Sequence, residues 1–384
     1  MRRLLQGVLL MGLLAGPFSQ EVAAQPVVGG ASGVDPQKVF SGFTLITEQD
    51  FLLPARNEDR NYTMGVGFGF AGELGYDVDA VFNPWRVTAL VPLLREAMDR
   101  TIPGLAWTSN WLDDRTGISE YSWTFGTTAF TPDELANPDP IFDDRPYGSL
   151  LFLSSRRIRV DRNERWAISS DLTLGMLGLD IAEEVQTWIH ERIGADVPRG
   201  WRHQISEGGE PTAMYTFKYQ RLPRLFNDRF QSDGARMEWA WHTLGQLGYY
   251  VAAEGGLSLR AGWYQSRFWQ WASNPLNSQN EAVGDAEEDR GEDRELFAFG
   301  ALRGRAVRHQ SLLEGQFSTS TVTVEAEPWI LEGEAGVSGS MLVKGRRVGL
   351  TWVMIAARSP EFRDAGEPRS HWWGSAFATV RFGG

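Results

Sequence analysis

Trp166-Ala167-Ile168-Ser169-Ser170-Asp171-Leu172-Thr173-Leu174-Gly175-Met176 largely alternates apolar and polar side chains. Trp166, Ile168, Leu172, Leu174 and Met176 share one face of an extended chain; Ser169, Asp171, Thr173 and Gly175 share the other. A period of two is the signature of a pleated strand. The length suits a tilted strand crossing a bilayer. Three further stretches repeat the pattern. Ala213, Tyr215, Phe217 and Tyr219 oppose Thr212, Thr216, Lys218 and Gln220. Val251, Ala253, Leu257, Leu259 and Trp263 oppose Glu254, Ser258 and Arg260. Trp372, Ala376, Ala378, Val380 and Phe382 oppose Ser375, Thr379 and Arg381. Two architectures satisfy such alternation: a membrane barrel with its apolar face toward lipid, or a soluble sandwich that buries that face.

Working outward, twelve stretches read as strands: 40–49, 61–71, 120–130, 146–157, 165–177, 211–221, 236–246, 249–263, 295–307, 329–341, 346–358 and 370–382. An even number returns the chain to its starting side. The chain holds 42 glycines, 16 tryptophans, 21 phenylalanines and 9 tyrosines. Aromatic residues supply the girdles of a membrane barrel, which favours that architecture over the sandwich. A mean hydropathy of −0.30 excludes a helical membrane protein but not a barrel, whose apolar residues are hidden in alternation. The expected fold is therefore all-β, a twelve-stranded antiparallel transmembrane β-barrel. It ends in Arg381-Phe382-Gly383-Gly384, with an aromatic residue near the terminus.

The amino-terminal residues have the character of a secretory signal: Arg2 and Arg3, an apolar run from Leu4 to Ala15, and a small-residue cleavage site at Val22-Ala23-Ala24. The expected division is a signal peptide over 1–24 and a barrel over 25–384. The absence of cysteine excludes a disulfide scaffold and a thiolate metal site. A net charge of −12 disfavours nucleic acid as a partner and leaves divalent cations open.

Two segments interrupt the strands. Residues 73–118 are too long for a turn. Pro92 can start a helix there that places Leu94, Met98 and Ile102 together, giving a helical insertion on the periplasmic side by parity. Glu281 to Glu295 carries eight acidic residues and two arginines and reads as a solvated turn.

With both termini periplasmic, counting crossings puts Asp50, Thr63 and His190 at one rim, the extracellular one. The segment 180–194 reads as a short helix with Asp180 as its cap and Gly194 as its stop. Glu183, Gln186 and His190 share one helical face, and Val185 and Ile189 are expected to hold the helix to the barrel wall. An imidazole titrates near neutrality and can take a proton from water. A hard cation held by oxygen ligands can polarise an ester carbonyl; Asp50, Asp196 and the amide of Gln49 are suitable calcium ligands. No G-x-S-x-G elbow is present. The residue types thus favour histidine-activated water with a metal-filled oxyanion hole, in a lipid hydrolase. Arg145, Arg199 and Arg202 are outer-loop cations suited to lipid phosphates, with His203 beside them. His242, His309 and His371 read as rim residues.

The segments Thr47-Glu48-Gln49-Asp50, Asp59-Arg60-Asn61-Tyr62-Thr63-Met64-Gly65, Asp144-Arg145-Pro146-Tyr147-Gly148, Gln186-Thr187-Trp188-Ile189-His190 and Gly200-Trp201-Arg202-His203-Gln204-Ile205 follow one another in order. Together they resemble the outer-membrane lipid A 3′-O-deacylase (LpxR) family. The resemblance implies a calcium-dependent, phospholipase-A2-like release of the 3′-linked acyloxyacyl chain of lipid A. It makes His190 the base, Gln186 its active-site neighbour, Thr63 an active-site hydroxyl and Asp50 a metal carboxylate. Gln49 stands where the family typically has Asn, and Asp196 where it tends to have Glu. Lipopolysaccharide is the implied partner, with no defined protein partner. A phospholipase-type esterase and a catalytically inactive, porin-like barrel are the alternatives.

Overall fold

The computed structural model describes residues 41–49, 64–71, 116–224, 231–232, 235–264, 266–269, 294–317, 321–363 and 370–382. The strands are β1 (Ser41–Gln49), β2 (Met64–Ala71), β3 (Thr116–Phe130), β4 (Gly148–Asp161), β5 (Trp166–Leu177), β6 (Glu210–Arg221), β7 (Gln231–Ser232), β8 (Ala235–Gly248), β9 (Tyr250–Trp263), β10 (Arg294–Gln310), β11 (Trp329–Val343), β12 (Arg346–Arg358) and β13 (His371–Phe382). Every neighbour pair is antiparallel. β1 pairs with β13, and β6 pairs with β8 past the two-residue β7, so twelve long strands close on themselves. Closure leaves no long strand with an unpaired edge.

Twelve strands were legible in the sequence, and the alternation has the expected sense. In β5 the side chains of Ser169, Asp171 and Thr173 are buried, whereas Ile168, Leu172 and Leu174 are half-exposed. In β9, Glu254 and Arg260 are buried while Leu257, Leu259 and Trp263 are exposed. A sandwich would show the reverse, so the exposed apolar side chains belong to a lipid-facing surface.

The polar interior is paired. Arg303 bonds Glu332 at 2.6 Å and also meets Glu334; Arg358 bonds the other oxygen of Glu332 at 2.6 Å and meets Glu361. Arg305 reaches Glu254 at 2.5 Å, and Glu254 accepts from or faces His242 at 2.9 Å. Buried charges are tolerated because opposite partners replace their lost hydration. His242 is thereby corrected from a rim position. It lies inside β8, on the lumen-facing parity of that strand. His309 stands near the end of β10, with Nδ1 2.8 Å from Glu314. His371 opens β13, buried and stacked on Trp373.

Several boundaries shift by a few residues. β3 begins at Thr116, four residues before the expected start, because its ladder with β4 continues to Asp161. Arg294 and Glu295 belong to β10, where Glu295 is buried and accepts the Ser266 amide at 2.6 Å; the other residues of the acidic stretch fall outside the described residues. The expected signal peptide and residues 73–115 of the expected insertion also lie outside them. No described helix is long and apolar enough to cross a membrane.

Candidate active site at the helix-bearing rim

β1 ends at Gln49, β2 starts at Met64, β3 ends at Phe130, β4 starts at Gly148, β5 ends at Leu177 and β6 starts at Glu210. The ladders place these ends on one rim: Glu48 faces Gly65, Met64 faces Ala129, Phe130 faces Gly148, and Leu177 faces Glu210. A loop helix, α1 (Ile181–Ile193), the longest among the described residues, rises from this rim directly after β5. Asp50 and Thr63 lie outside the described residues, as does the side chain of Gln49. The strands adjoining them end on the helix-bearing rim.

Gly178 makes the entry to α1. Its φ of 71° is a left-handed conformation, and a Cβ there would stand 1.9 Å from the Ser206 carbonyl oxygen. Gly194 ends the helix as expected, at φ 74° with its N–H on the His190 carbonyl at 2.9 Å. Asp180 does occupy the cap position but makes no capping hydrogen bond. Its carboxylate instead accepts from the Gln204 amide at 3.3 Å, tying the helix start to the segment that follows it.

The face of α1 that turns inward is polar. Gln186 is 2% exposed and His190 4%, with Ala182 buried beside them. Val185 and Trp188 are exposed, Trp188 by half, and Arg192 lies over the Trp188 ring at 3.9 Å. This corrects the expectation that Val185 anchors the helix to the wall. At a lipid surface the apolar face gains by pointing outward, and the chemistry-bearing face is the one sequestered. Glu183 borders that face, and partial burial together with Asp180 and Glu184 raises its carboxyl above the ordinary range.

His190 is held by its Nδ1, 2.5 Å from the Asp196 carbonyl oxygen. A carbonyl only accepts, so Nδ1 is the donor of this contact; in the neutral ring Nε2 is then the acceptor nitrogen. Gln186 accepts a 2.9 Å hydrogen bond from the Trp201 indole through Oε1, while its Nε2 is buried without a protein hydrogen-bond partner. A buried amide donor left unpaired in this way is suited to a water or ligand acceptor. Trp201 opens a 3₁₀ turn, Trp201–His203, and is fully buried against Tyr147. Tyr147 donates its hydroxyl to the Leu135 carbonyl at 3.1 Å, and burial pushes its pKa up to about 12, so it remains a neutral donor.

The family model described as "Outer membrane protein LpxR" matches residues 8–382. The chain belongs to the LpxR family.

Among solved structures, LpxR from Salmonella typhimurium is similar at 15% identity and a TM-score of 0.62, over 89% of this chain and 100% of that one. The β domain of the Bordetella autotransporter BrkA is a weaker likeness, at 11% identity and a TM-score of 0.35, covering 89% of this chain and 98% of that chain. No curated protein matches in sequence. This LpxR family member is accordingly an outer-membrane β-barrel protein.

The remaining expected site residues divide. Asp196 is present beside His190, but what the structure shows of it is the backbone carbonyl that orients the imidazole; its side chain is exposed. Arg199 and Arg202 are exposed, and His203 is half-exposed. Arg202 donates from Nη2 to the Pro138 carbonyl at 2.8 Å and from Nε to His203 Nε2 at 3.0 Å, so the pair is fastened to the neighbouring loop. Arg145 is not an outer-loop cation. It is 1% exposed, bonded to Glu361 at 2.5 Å and set over the Phe130 ring at 3.9 Å. Its sequence position in a loop concealed that the loop folds inward. Among the described residues no group of three or more His, Cys, Asp or Glu could hold a metal ion.

Three contributors were missed from sequence. Trp201 lay within a quoted motif but carried no signal of its hydrogen bond to Gln186. Glu361, which holds Arg145, is 216 residues distant in sequence. Glu48 is fully buried on the inward face at the end of β1, a position the alternation of Thr44, Ile46 and Glu48 made visible.

Proposed function

We propose that this chain is an outer-membrane esterase of the lipid A 3′-O-deacylase type, with its helix-bearing rim toward the extracellular leaflet. The observation that carries the reading is the bond from His190 Nδ1 to the Asp196 carbonyl, which leaves Nε2 as the basic nitrogen on the sequestered face of α1. His190 Nε2 takes a proton from water as that water's oxygen attacks the ester carbonyl carbon. The tetrahedral intermediate expels the sugar alkoxide by breaking the ester C–O bond, and the proton on Nε2 passes to that oxygen. The products are a carboxylic acid and a free sugar hydroxyl.

The unpaired Nε2–H of Gln186 donates to the water or to the developing oxyanion, and Trp201 holds the amide in that orientation. Thr63, in the motif that precedes β2, is the active-site hydroxyl of this reading. The donor chemistry fits calcium: Asp50, Gln49 and Asp196 each offer an oxygen ligand, and the exposed Asp196 carboxylate stands six residues from His190. Bound by these residues, calcium would polarise the ester carbonyl and offset negative charge on its oxygen. The exposed Arg199 and Arg202 and the half-exposed His203 suit the phosphates of lipid A. Ile181, Val185 and Trp188 present an apolar surface to acyl chains.

The ion-paired interior favours this reading over a porin-like barrel. A phospholipase-type activity is separated by the product, because release of 3-acyloxyacyl acids identifies lipid A. The deciding experiment is His190→Ala. Mass spectrometry of lipid A from expressing cells should show deacylation by wild type and a loss of about 10²–10⁴-fold in the variant, the usual contribution of a general base. Calcium chelation should also stop wild-type turnover. Undiminished hydrolysis in the folded variant would overturn the assignment.

A further inference from the structure

At the rim opposite α1, the described residues enclose a second site. Asp161, Asn163, Arg165, Arg221, Arg224 and the Trp239–Trp241 pair border a pocket of about 630 Å³ on the lipid-facing side of β5, β6 and β8. The strand parity explains the placement. In β6, Thr216, Lys218 and Gln220 are buried toward the lumen, so Tyr219 and Arg221 point outward. Arg221 is paired across the ladder with Trp166 on one side and Trp241 on the other. Tyr219 stacks on Trp166 at 6.4 Å and packs against Trp241 at 5.4 Å. The result is a continuous aromatic shelf with guanidinium groups at its outer edge, the arrangement that suits a lipid at the boundary between acyl chains and headgroups.

The charge of the pocket is positive. Its carboxylate, Asp161, is consumed by its own turn: Oδ2 accepts the Asn163 amide at 3.2 Å, and Oδ1 accepts the amides of Arg165 and, at 2.8 Å, of Trp166. The nearby Glu164 is held by Arg267 at 2.5 Å. Arg221 and Arg224 are exposed at the pocket mouth, and Arg165 is half-exposed. Guanidinium forks match phosphate oxygens, and the Trp faces offer apolar contact to the first acyl carbons.

We propose that this pocket holds the phosphodiester of an anionic glycerophospholipid from the adjacent leaflet. The leaflet rests on the orientation given above, in which this rim faces the periplasm and the substrate lies at the opposite rim. The site is therefore separate from the esterase chemistry. It fastens the barrel at its inner interface.

The test uses the purified full-length barrel in detergent, incubated with phosphatidylglycerol, phosphatidylcholine or lipid A and examined by native mass spectrometry. Wild type should retain phosphatidylglycerol in preference to the other two. Arg221→Gln with Arg224→Gln should lower that retention about 25-fold, from about five-fold for each cation near a lipid surface. Lysine at both positions should restore most of it. Retention that is equal for phosphatidylglycerol and phosphatidylcholine, preferential retention of lipid A through these arginines, or a glutamine variant indistinguishable from wild type would each overturn the proposal. Deacylation should be unchanged in the glutamine variant, so failure of this site and failure of the esterase reading are read from different measurements.

Discussion

Trp201→Phe isolates the hydrogen bond that orients Gln186. The indole is fully buried, donates to Gln186 Oε1 at 2.9 Å and packs on Tyr147 with ring centroids 4.9 Å apart. Phenylalanine keeps the aromatic contact and removes the donor. An amide oxygen left buried and unpaired costs about 1–3 kcal/mol, to which a small packing defect adds. The amide relieves that cost by turning, which moves the Nε2 donor away from its working direction. At about 1.4 kcal/mol per factor of ten, deacylation should fall roughly 5- to 100-fold. The assay measures kcat on purified lipid A in mixed micelles, alongside the thermal loss of the compact barrel band in electrophoresis. Gln186→Glu is the companion variant: it can still accept from Trp201 but loses the amide donor, so it should lose rate, and its buried carboxylate should also lower the melting temperature. A Trp201→Phe protein that melts earlier yet turns over at the wild-type kcat would refute the positioning argument and leave Trp201 a packing residue.

Two further outcomes follow from the interior. Burial alone would raise the Glu361 carboxyl, but the guanidiniums of Arg358 and Arg145 more than offset it and hold it below the usual carboxylate range. A depressed carboxyl contributes stability that is fully present above its unfolded value and lost as pH falls through the folded one. Glu361→Gln should therefore melt below wild type at neutral pH, by the order of 3–5 kcal/mol for a broken buried pair. The gap should narrow progressively below about pH 4.5, measured by heat-modifiable migration across a pH series; a gap independent of pH would contradict the ion-pair account. Second, the Glu334–Arg303–Glu332–Arg358–Glu361–Arg145 chain occupies the lumen and reaches the rim. Planar bilayers containing the protein should show no porin-size steps, and regular stepwise conductance would contradict a filled interior.

Strand number, strand phase and the helix at 181–193 were all legible because each depends on local periodicity. The lipid-facing sense of the alternation was weighted correctly by aromatic content. The placement of His190 on a helix stopped by Gly194 was equally local. Arg145 and His242 were misplaced for one reason: the path of a loop and the depth of a side chain depend on contacts with residues far away in sequence, Glu361 and Glu254 here. Val185 was misread because amphipathicity gives two faces without saying which one meets lipid. Asp50 and Thr63 remain expectations from crossing parity, since only the adjoining strand ends are described.

Residue spacing was enough to tell that this chain crosses a membrane with twelve strands and carries a helix after the fifth, because a pleat and a helical turn are written in spacings of two and of three to four residues. The sequence also carried the family, through the order of short motifs. Only the folded chain shows that His190 Nδ1 meets the Asp196 carbonyl, that the Trp201 indole bonds Gln186, and that the interior charges form a connected chain. Those properties come from hydrogen-bond partners 15 to more than 200 residues apart or from backbone carbonyls, and no residue type or spacing encodes them.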